Sequence, residues 1–493
     1  MIERILRYGF GKSGYINSGR RFTVVGITSF GFYVPAYRLK RDEISRAWKM
    51  KSLGGERAVA GHDEDSLTMA VNAILDCMKV SQKQVDGLFF ASTTSPYREK
   101  QAAAIIAAAV DLPENTRTAD FMDSLRSGTI ALNSAIDAVK SGSSESVIVA
   151  VSDSRMGAGK SQFEQLFGDG AAALTIGSSE VIASIEGSYS VYSELLDTWR
   201  LEGNPFVQSW EERFILTEGY VNSMQKVVSG VLGKYKLTPK DFSKVVLYGP
   251  DGRSHANLAK LLGFDLQTQV QDLPFQSMGN AGTAALPTMI ISALCTARAG
   301  DKILVANYGD GGDALILQVT KNVEKLQGKE KMKERLARKI YIDYERYLNW
   351  RDLVPSEEAR RPEFRPPSIT CLWRERKSVL ALYGNRCNQC GAVQYPPQRI
   401  CAKCQGKDDF EDYKLSNKEG KIFTYAIDSL TSSREVPAIF GVVDFEGGGR
   451  VMCEVTECEP SQMKIGMPVE MCFRKVSRKG TIPNYFWKAR PRS

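Results

Sequence analysis

No apolar run in this 493-residue sequence is long enough to cross a membrane. The first twenty residues, MIERILRYGFGKSGYINSGR, also lack the apolar core of a secretory signal. The expectation is a cytoplasmic protein with no membrane partner, opening with a loose extension over residues 1–20. Histidine is nearly missing: only His62 and His255 occur. His255, in GRSHANLAKLL, falls at the start of a helix and reads as a surface or capping residue. His62, in AGHDEDS, reads as a loop residue ahead of a helix N-terminus, where the acidic run suits the helix dipole. Cysteine is missing from the whole stretch between Cys77 and Cys295. Four of the ten cysteines form CxxC pairs near the C-terminus and the rest are scattered. That usage argues against a disulfide framework and for metal binding in a reducing cytosol.

What is present is ordinary in bulk. Hydrophobic content of 43% and charged content of 25% suit a globular protein, and the length implies more than one domain. The net charge is +8, but Lys321 to Arg386 hold 17 Lys and Arg against 10 Asp and Glu, so +7 of it sits in one connector. A charge so confined argues against a nucleic-acid partner. It reads as a solvated linker, a surface facing another domain, or a place to meet an anionic ligand such as a phosphorylated cofactor.

From residue 21 to about 320, β-branched runs alternate with helix-length segments. FTVVGITSFGFYV, GLFFAST, SVIVAVSD, AAALTIG, KVVLYG, KILVANYG and ALILQV read as strands, which predicts α/β layers with a largely parallel sheet. This region repeats itself. Gly128-Thr129 matches Gly282-Thr283, and Gly168-Asp169-Gly170 matches Gly309-Asp310-Gly311. The offset falls from 154 to 141, so the first copy carries 13 extra residues in a loop. Two ordered matches with a helix and a strand between them indicate a duplicated α/β unit. The charged connector follows, with ERLARKIYIDYERYLNWRDL expected to be helical and RRPEFRPP a hinge.

Near the C-terminus, Cys387-x2-Cys390 and Cys401-x2-Cys404 are separated by ten residues. Each CxxC turn brings two thiolates onto one metal, and two such knuckles complete a closed tetrahedral site for zinc, structural in role. EGKIFTYAIDSL, PAIFGVVDF, RVMCEVTE, PVEMCFRKV and YFWKARP then read as five short strands of a small barrel, an OB-fold.

The landmarks FYVPAYRL, DEDSLTMAVNA, SPY after a strand, SDSR, GNAGT and YGDGGDA, on a duplicated α/β unit, resemble the thiolase fold. The nearest resemblance is to archaeal and bacterial 3-hydroxy-3-methylglutaryl-CoA synthases and the related ketoacyl synthases. YPPQRICAKC and YFWKARP resemble a family of rubredoxin-like ribbon plus OB-fold proteins that accompany such enzymes as separate chains and contribute to CoA binding. The resemblance implies an α/β fold class: a duplicated thiolase-like fold (layered α/β) over 21–320, its halves at about 21–190 and 210–320. A charged connector at 321–371, a zinc ribbon at 372–410 and a small all-β OB-fold barrel at 411–493 complete it. It further implies a CoA thioester as substrate, whose phosphates meet basic residues such as Arg374, Arg376, Lys377 or Arg386, and a homodimer or a complex with a thiolase-like partner.

The resembled family divides its chemistry among a cysteine nucleophile, a histidine, an asparagine and, in the synthases, a glutamate. Carried over motif by motif, the cysteine position falls on Leu125 in DSLRSGT, the histidine on Tyr248 in YGPDG and the glutamate on Thr93, or Thr94, in ASTTSPY. Asn280 in MGNAGT keeps the family residue. Leucine supplies no nucleophile; Ser124 and Ser127 flank it, but a serine needs an adjacent base. True 3-hydroxy-3-methylglutaryl-CoA synthesis is therefore rejected. Two readings remain. One is an enzyme that forms or cleaves a C–C bond of a CoA thioester by aldol-type chemistry at Tyr248 and Asn280, by analogy with thiolase-like steroid side-chain aldolases that lack the cysteine. The other is a non-catalytic CoA-binding scaffold paired with an active thiolase-type enzyme, in which Tyr248 merely fills the space of the histidine.

Overall fold

A computed structural model of the chain describes residues 24–79, 84–325, 331–355, 357, 368–431, 435–476 and 482–492. The expected extension at 1–20 and the RRPEFRPP hinge lie outside them. Among the described residues, nine strands build the central sheet: β1 (Gly26–Tyr33), β4 (Gly87–Ser92), β5 (Arg117–Met122), β6 (Ser146–Asp153), β7 (Gly170–Gly177), β8 (Ala183–Tyr192), β9 (Lys244–Leu247), β10 (Lys302–Tyr308) and β11 (Gly311–Val319). Their order is β9-β10-β11-β8-β1-β7-β6-β4-β5. The apolar runs foreseen as strands all fall in it; SVIVAVSD is β6, buried at every position. β5 (RTADFM) and β8 (ASIEGSYSVY) carry too many polar residues to stand out in the sequence.

The sheet is mixed, not largely parallel. β4 runs parallel to β5 and β6, and β9 to β10, but β6–β7, β10–β11, β8–β11 and β1–β7 are antiparallel. The reason is the return strand after each Gly-rich turn. β1 and β8 meet over only two residue pairs, so the sheet is two half-sheets hinged at one corner. Each half repeats the same path: α2 (Ser127–Ser141) leads to β6 and back along β7, and α5 (Ala285–Thr296) leads to β10 and back along β11. Leu132 and Ile136 of α2 share one core with Leu286 and Ile290 of α5. The copies also grip each other crosswise. Asp153 at the end of β6 accepts from Thr283 N and Oγ1 at 2.8 and 3.0 Å, while Asn307 of β10 donates to Thr129 Oγ1 at 3.4 Å.

The segment foreseen as one charged helix is helix, strand, helix: α6 (Lys331–Ala337), β12 (Ile340–Ile342) and α7 (Tyr344–Trp350). Ile340 and Ile342 favour a strand, and β12 pairs parallel with β2 (Tyr37–Lys40), which pairs antiparallel with β3 (Glu56–Val59). Asp343 caps α7 by accepting from Arg346 N. Tyr344, Tyr347 and Trp350 pack with Tyr37, Leu39 and Ile44 in a small core, so this part of the expected connector is packed and not a solvated linker.

Beyond it, β13 (Tyr383–Cys387), β14 (Val393–Gln394) and β15 (Phe410–Lys414) form the ribbon. β16 (Gly420–Asp428), β17 (Ala438–Phe445), β18 (Arg450–Val455), β19 (Pro468–Lys475) and β20 (Tyr485–Pro491) close a barrel in the order β16-β17-β18-β20-β19. The barrel is packed on the α/β unit. Ile74 and Cys77 of α1 (Ser66–Met78) share a core with Phe473 and Trp487. The DED run ahead of α1 serves this contact more than the helix dipole. Only Asp65 caps the helix. Asp63 and Glu64 reach into the barrel, where Lys488 Nζ lies 2.9 Å from Asp63 and Arg474 lies 2.9 Å from Glu64. Arg474 also pairs with Glu457, and Tyr33 donates to Glu64 at 2.5 Å.

Candidate active site and metal site

Every residue carried over from the motifs follows a strand of the parallel runs or an adjoining turn. Tyr248 follows β9, Leu125 follows β5, Thr93 follows β4, and Asn280 sits in the loop before α5. Short links join them. Asn280 Nδ2 donates to the Tyr248 hydroxyl at 3.0 Å. Asn280 Oδ1 accepts from Gly282 N at 3.0 Å. Asp153 accepts from Thr93 N, Ser92 Oγ and Thr94 Oγ1 on one oxygen, and from Thr283 on the other. The Tyr248 ring lies 6.5 Å from that of Tyr308, whose neighbour Gly309 is pressed onto the Leu125 turn. A Cβ on Gly309 would meet Arg126 N at 2.8 Å, so a side chain would push the turns apart.

Tyr248 is 3% exposed. Tyr220, within a stretch of π-helix over Ile215–Val221, fixes its backbone by donating to Tyr248 O at 2.8 Å. Burial pushes the phenol above its ordinary pKa; the Arg155 charge and the Asn280 hydrogen bond pull it back in part. The phenol accepts from Asn280, and its own O–H has no acceptor among the described residues. A protonated hydroxyl with an uncommitted donor suits proton delivery to a substrate oxygen. The second N–H of Asn280 is shared between Pro250 O at 3.3 Å and Gly249 O at 3.4 Å, bonds weak enough for a substrate oxygen to replace.

Leu125 is partly buried against the core, with its carbonyl accepting from Asn307 Nδ2 at 3.2 Å. Of its neighbours, Ser127 donates to Met122 O at 2.8 Å and is spent within the turn. Ser124 donates to Asp310 at 2.6 Å on the exposed side. His255 is not a surface residue: it lies on α4 (Gly252–Leu261), 5% exposed, beside Gly249, and burial lowers its pKa. His62 stands at a turn with its ring 5.8 Å from Trp350.

Four residues of this site were not singled out from the sequence: Asp153, Arg155, Asp197 and Tyr308. Asp153 and Arg155 lie in the SDSR motif, whose strand-end position is the available signal. All the accepting capacity of Asp153 serves the clamp, which removes it as a base. Asp197 accepts from Tyr308 at 2.5 Å, and no local pattern marks it.

In the ribbon, the sulfurs of Cys387, Cys390, Cys401 and Cys404 lie within 4.8 Å of one another. Zn–S bonds of about 2.3 Å in a tetrahedron need that spacing, so the residues fit zinc. The N–H groups of Cys404 and Lys403 point at the Cys401 sulfur and lower its pKa to about 6, favouring the thiolate that binds metal. Of the basic residues foreseen for CoA phosphates, Arg376 lies 3.3 Å from Glu114, Lys377 pairs with Asp412, Arg386 lies 3.7 Å from Glu411, and Arg374 is exposed.

Fold and site define a thiolase-like protein carrying a C-terminal ribbon and barrel. Solved structures agree on that fold. HMG-CoA synthase complexed with CoA matches with a TM-score of 0.61 at 17% identity, covering 70% of this chain and 95% of that one. The 3-oxoacyl-[acyl-carrier-protein] synthase III of Aquifex aeolicus matches with a TM-score of 0.52 at 22% identity, covering 60% and 99%. Among curated proteins, the hydroxymethylglutaryl-CoA synthase of Methanocaldococcus jannaschii is 31% identical over 344 residues, covering 67% of this chain and 99% of that protein. That of Thermococcus gammatolerans is 32% identical over 336 residues, covering 66% and 96%. The chain belongs to the hydroxymethylglutaryl-CoA synthase family. Residues 374–411 match the rubredoxin-like zinc ribbon domain of ChsH2, and residues 413–474 match its C-terminal OB-fold domain.

Proposed function

We propose that the protein forms or cleaves a C–C bond of a CoA thioester by aldol-type chemistry, without a cysteine nucleophile. The observation that carries this reading is the Tyr248 hydroxyl, held by Asn280 at 3.0 Å with its own proton uncommitted. In the addition direction an α-proton of the thioester passes to water, the enolate attacks a carbonyl carbon, and the released proton later restores the Tyr248 hydroxyl. Tyr248 gives its proton to the oxygen that becomes the hydroxyl, and the N–H that Asn280 now shares between two carbonyls goes to the enolate oxygen. Cleavage is the reverse and starts from the minor tyrosinate form, which takes the hydroxyl proton. Asp197 and Tyr308 bound the site without touching these atoms. Zinc at Cys387, Cys390, Cys401 and Cys404 is structural in this reading, since four thiolates leave no open position.

The test is turnover of a 3-hydroxyacyl-CoA series, followed by carbonyl release, together with the intact mass of the protein after incubation with acetyl-CoA. Carbonyl release with an unchanged mass is the expected result. A stoichiometric acyl adduct within residues 120–130 would assign a nucleophile to Ser124 or Ser127 instead. Leu125 at the nucleophile position favours a second reading, a non-catalytic CoA-binding scaffold for a thiolase-type partner; absence of turnover by the protein alone and with such a partner would establish it.

A further inference from the structure

Arg155 is 6% exposed, yet its guanidinium makes no hydrogen bond and no ion pair among the described residues. Its one direct partner is the ring of Phe167, with Cζ 4.2 Å from the centroid. It stands two residues after Asp153, whose oxygens are taken up by the Ser92, Thr93, Thr94 and Thr283 clamp. Gly282 makes room for it: at φ +61°, a Cβ there would lie 2.9 Å from Arg155 Cδ and 2.3 Å from Asp153 Oδ2. Its charge acts on the Tyr248 phenol and on Arg200, a second cation that donates to Thr93 O. The Thr93 hydroxyl on the same clamp is sealed and has no partner. A guanidinium so largely covered, stacked on one ring and with no protein anion beside it, keeps its hydrogen-bonding fork free for an anionic ligand.

We propose that Arg155 is an anion-binding residue of this site and that the substrate carries a carboxylate close to the carbon atoms being joined or parted. The proposal rests on the aldol reading above for the place of the reacting carbons. An anion reaching a guanidinium so deep has to be small and attached to the reacting end of the substrate, which sets aside the CoA phosphates. A planar carboxylate matches the guanidinium fork in two parallel hydrogen bonds. It has two possible sources: a 2-oxo acid serving as the carbonyl partner, or the far end of a dicarboxylic acyl-CoA.

Isothermal titration of the whole protein tests this with probes of each kind: glutaryl-CoA against pentanoyl-CoA, and pyruvate against acetone with acetyl-CoA present. For the correct source, the carboxylate probe is expected to bind at least about 10-fold more tightly than its neutral counterpart, the gain of one charge-assisted pair. That preference should vanish in Arg155→Gln and persist in part in Arg155→Lys, which keeps the charge without the fork. Circular dichroism identifies any variant that fails to fold, and Arg155→Lys then carries the comparison. Equal binding of charged and neutral probes by the wild type in both pairs overturns the proposal, as does a full preference in folded Arg155→Gln. Because titration reads binding alone, a carboxylate preference without any turnover would sink the aldol reading and leave the anion site standing.

Discussion

At the scale of single residues, the proposed function turns on Leu125 and Tyr248, a hydrocarbon and a phenol at the positions where the motif comparison expects groups that gain or lose protons near neutrality. The phenol's proton is held more firmly than in water, because burial raises its pKa. In the proposed reaction tyrosine is the neutral acid, so a raised pKa extends the working range upward. The rate of addition should stay level from about pH 7 to 9 and fall only beyond the ordinary phenol range near 10; a pH–rate profile with a loss near pH 8 would contradict it. Tyr248 and Asn280, which the structure brings into contact, stood out in the sequence because each sits in a tight Gly-containing motif. Arg155 and Asp197 were not: an arginine or aspartate at a strand end or in a loop looks the same in sequence whether it faces solvent or a cavity. The misreading of His255 has the same origin. The start of a helix predicts exposure, but this helix lays its first turn on Gly249.

At the scale of elements, strands with unbroken apolar runs were plain, and so was the five-strand barrel. β5 and β8 were hidden by polar residues. The α6–β12–α7 segment was misread because charge dominates its composition while the aromatic and isoleucine positions do the packing. The ribbon was legible from spacing alone, since two CxxC turns leave few other uses for four thiols. It carries a prediction of its own. Purified protein should hold one zinc per chain, and Cys401→Ser should lose it and loosen the ribbon, because structural zinc contributes about 10–16 kcal/mol in small modules. Elemental analysis checks the metal, and limited proteolysis near residues 387–404 checks the loosening.

At the scale of the whole molecule, the barrel is locked to the α/β unit by a buried ionic cluster that no sequence pattern announces, since its members lie some 400 residues apart. Removing one partner leaves buried charges unpaired. Arg474→Met should therefore destabilise the folded chain by about 3–5 kcal/mol, read by denaturant unfolding. The cluster also sets a pH dependence. Burial alone would raise the Glu457 carboxyl, but Arg490, Arg338 and Arg474 hold it down at about 2, and Lys488 with its neighbours likewise holds Asp63 below the usual range. Groups with depressed folded pKa values stabilise above their unfolded values near 4 and lose that contribution as pH falls toward the folded ones. Glu64, pushed up by burial, opposes part of this. Melting temperature should be level between pH 7 and 5 and drop below about pH 4. Assembly belongs to the same scale: the thiolase-like unit is expected to dimerise, with itself or with a related partner, and light scattering that finds a monomer under all conditions would count against it.

The most direct test is the turnover of a 3-hydroxyacyl-CoA by wild type and Tyr248→Phe, a change that removes one oxygen and leaves the packing of a buried ring in place. With general acid–base help lost, the variant should be slower by about 10²–10⁴ at unchanged melting temperature. A folded Tyr248→Phe protein as fast as wild type would mean that the phenol only fills the space left by a histidine.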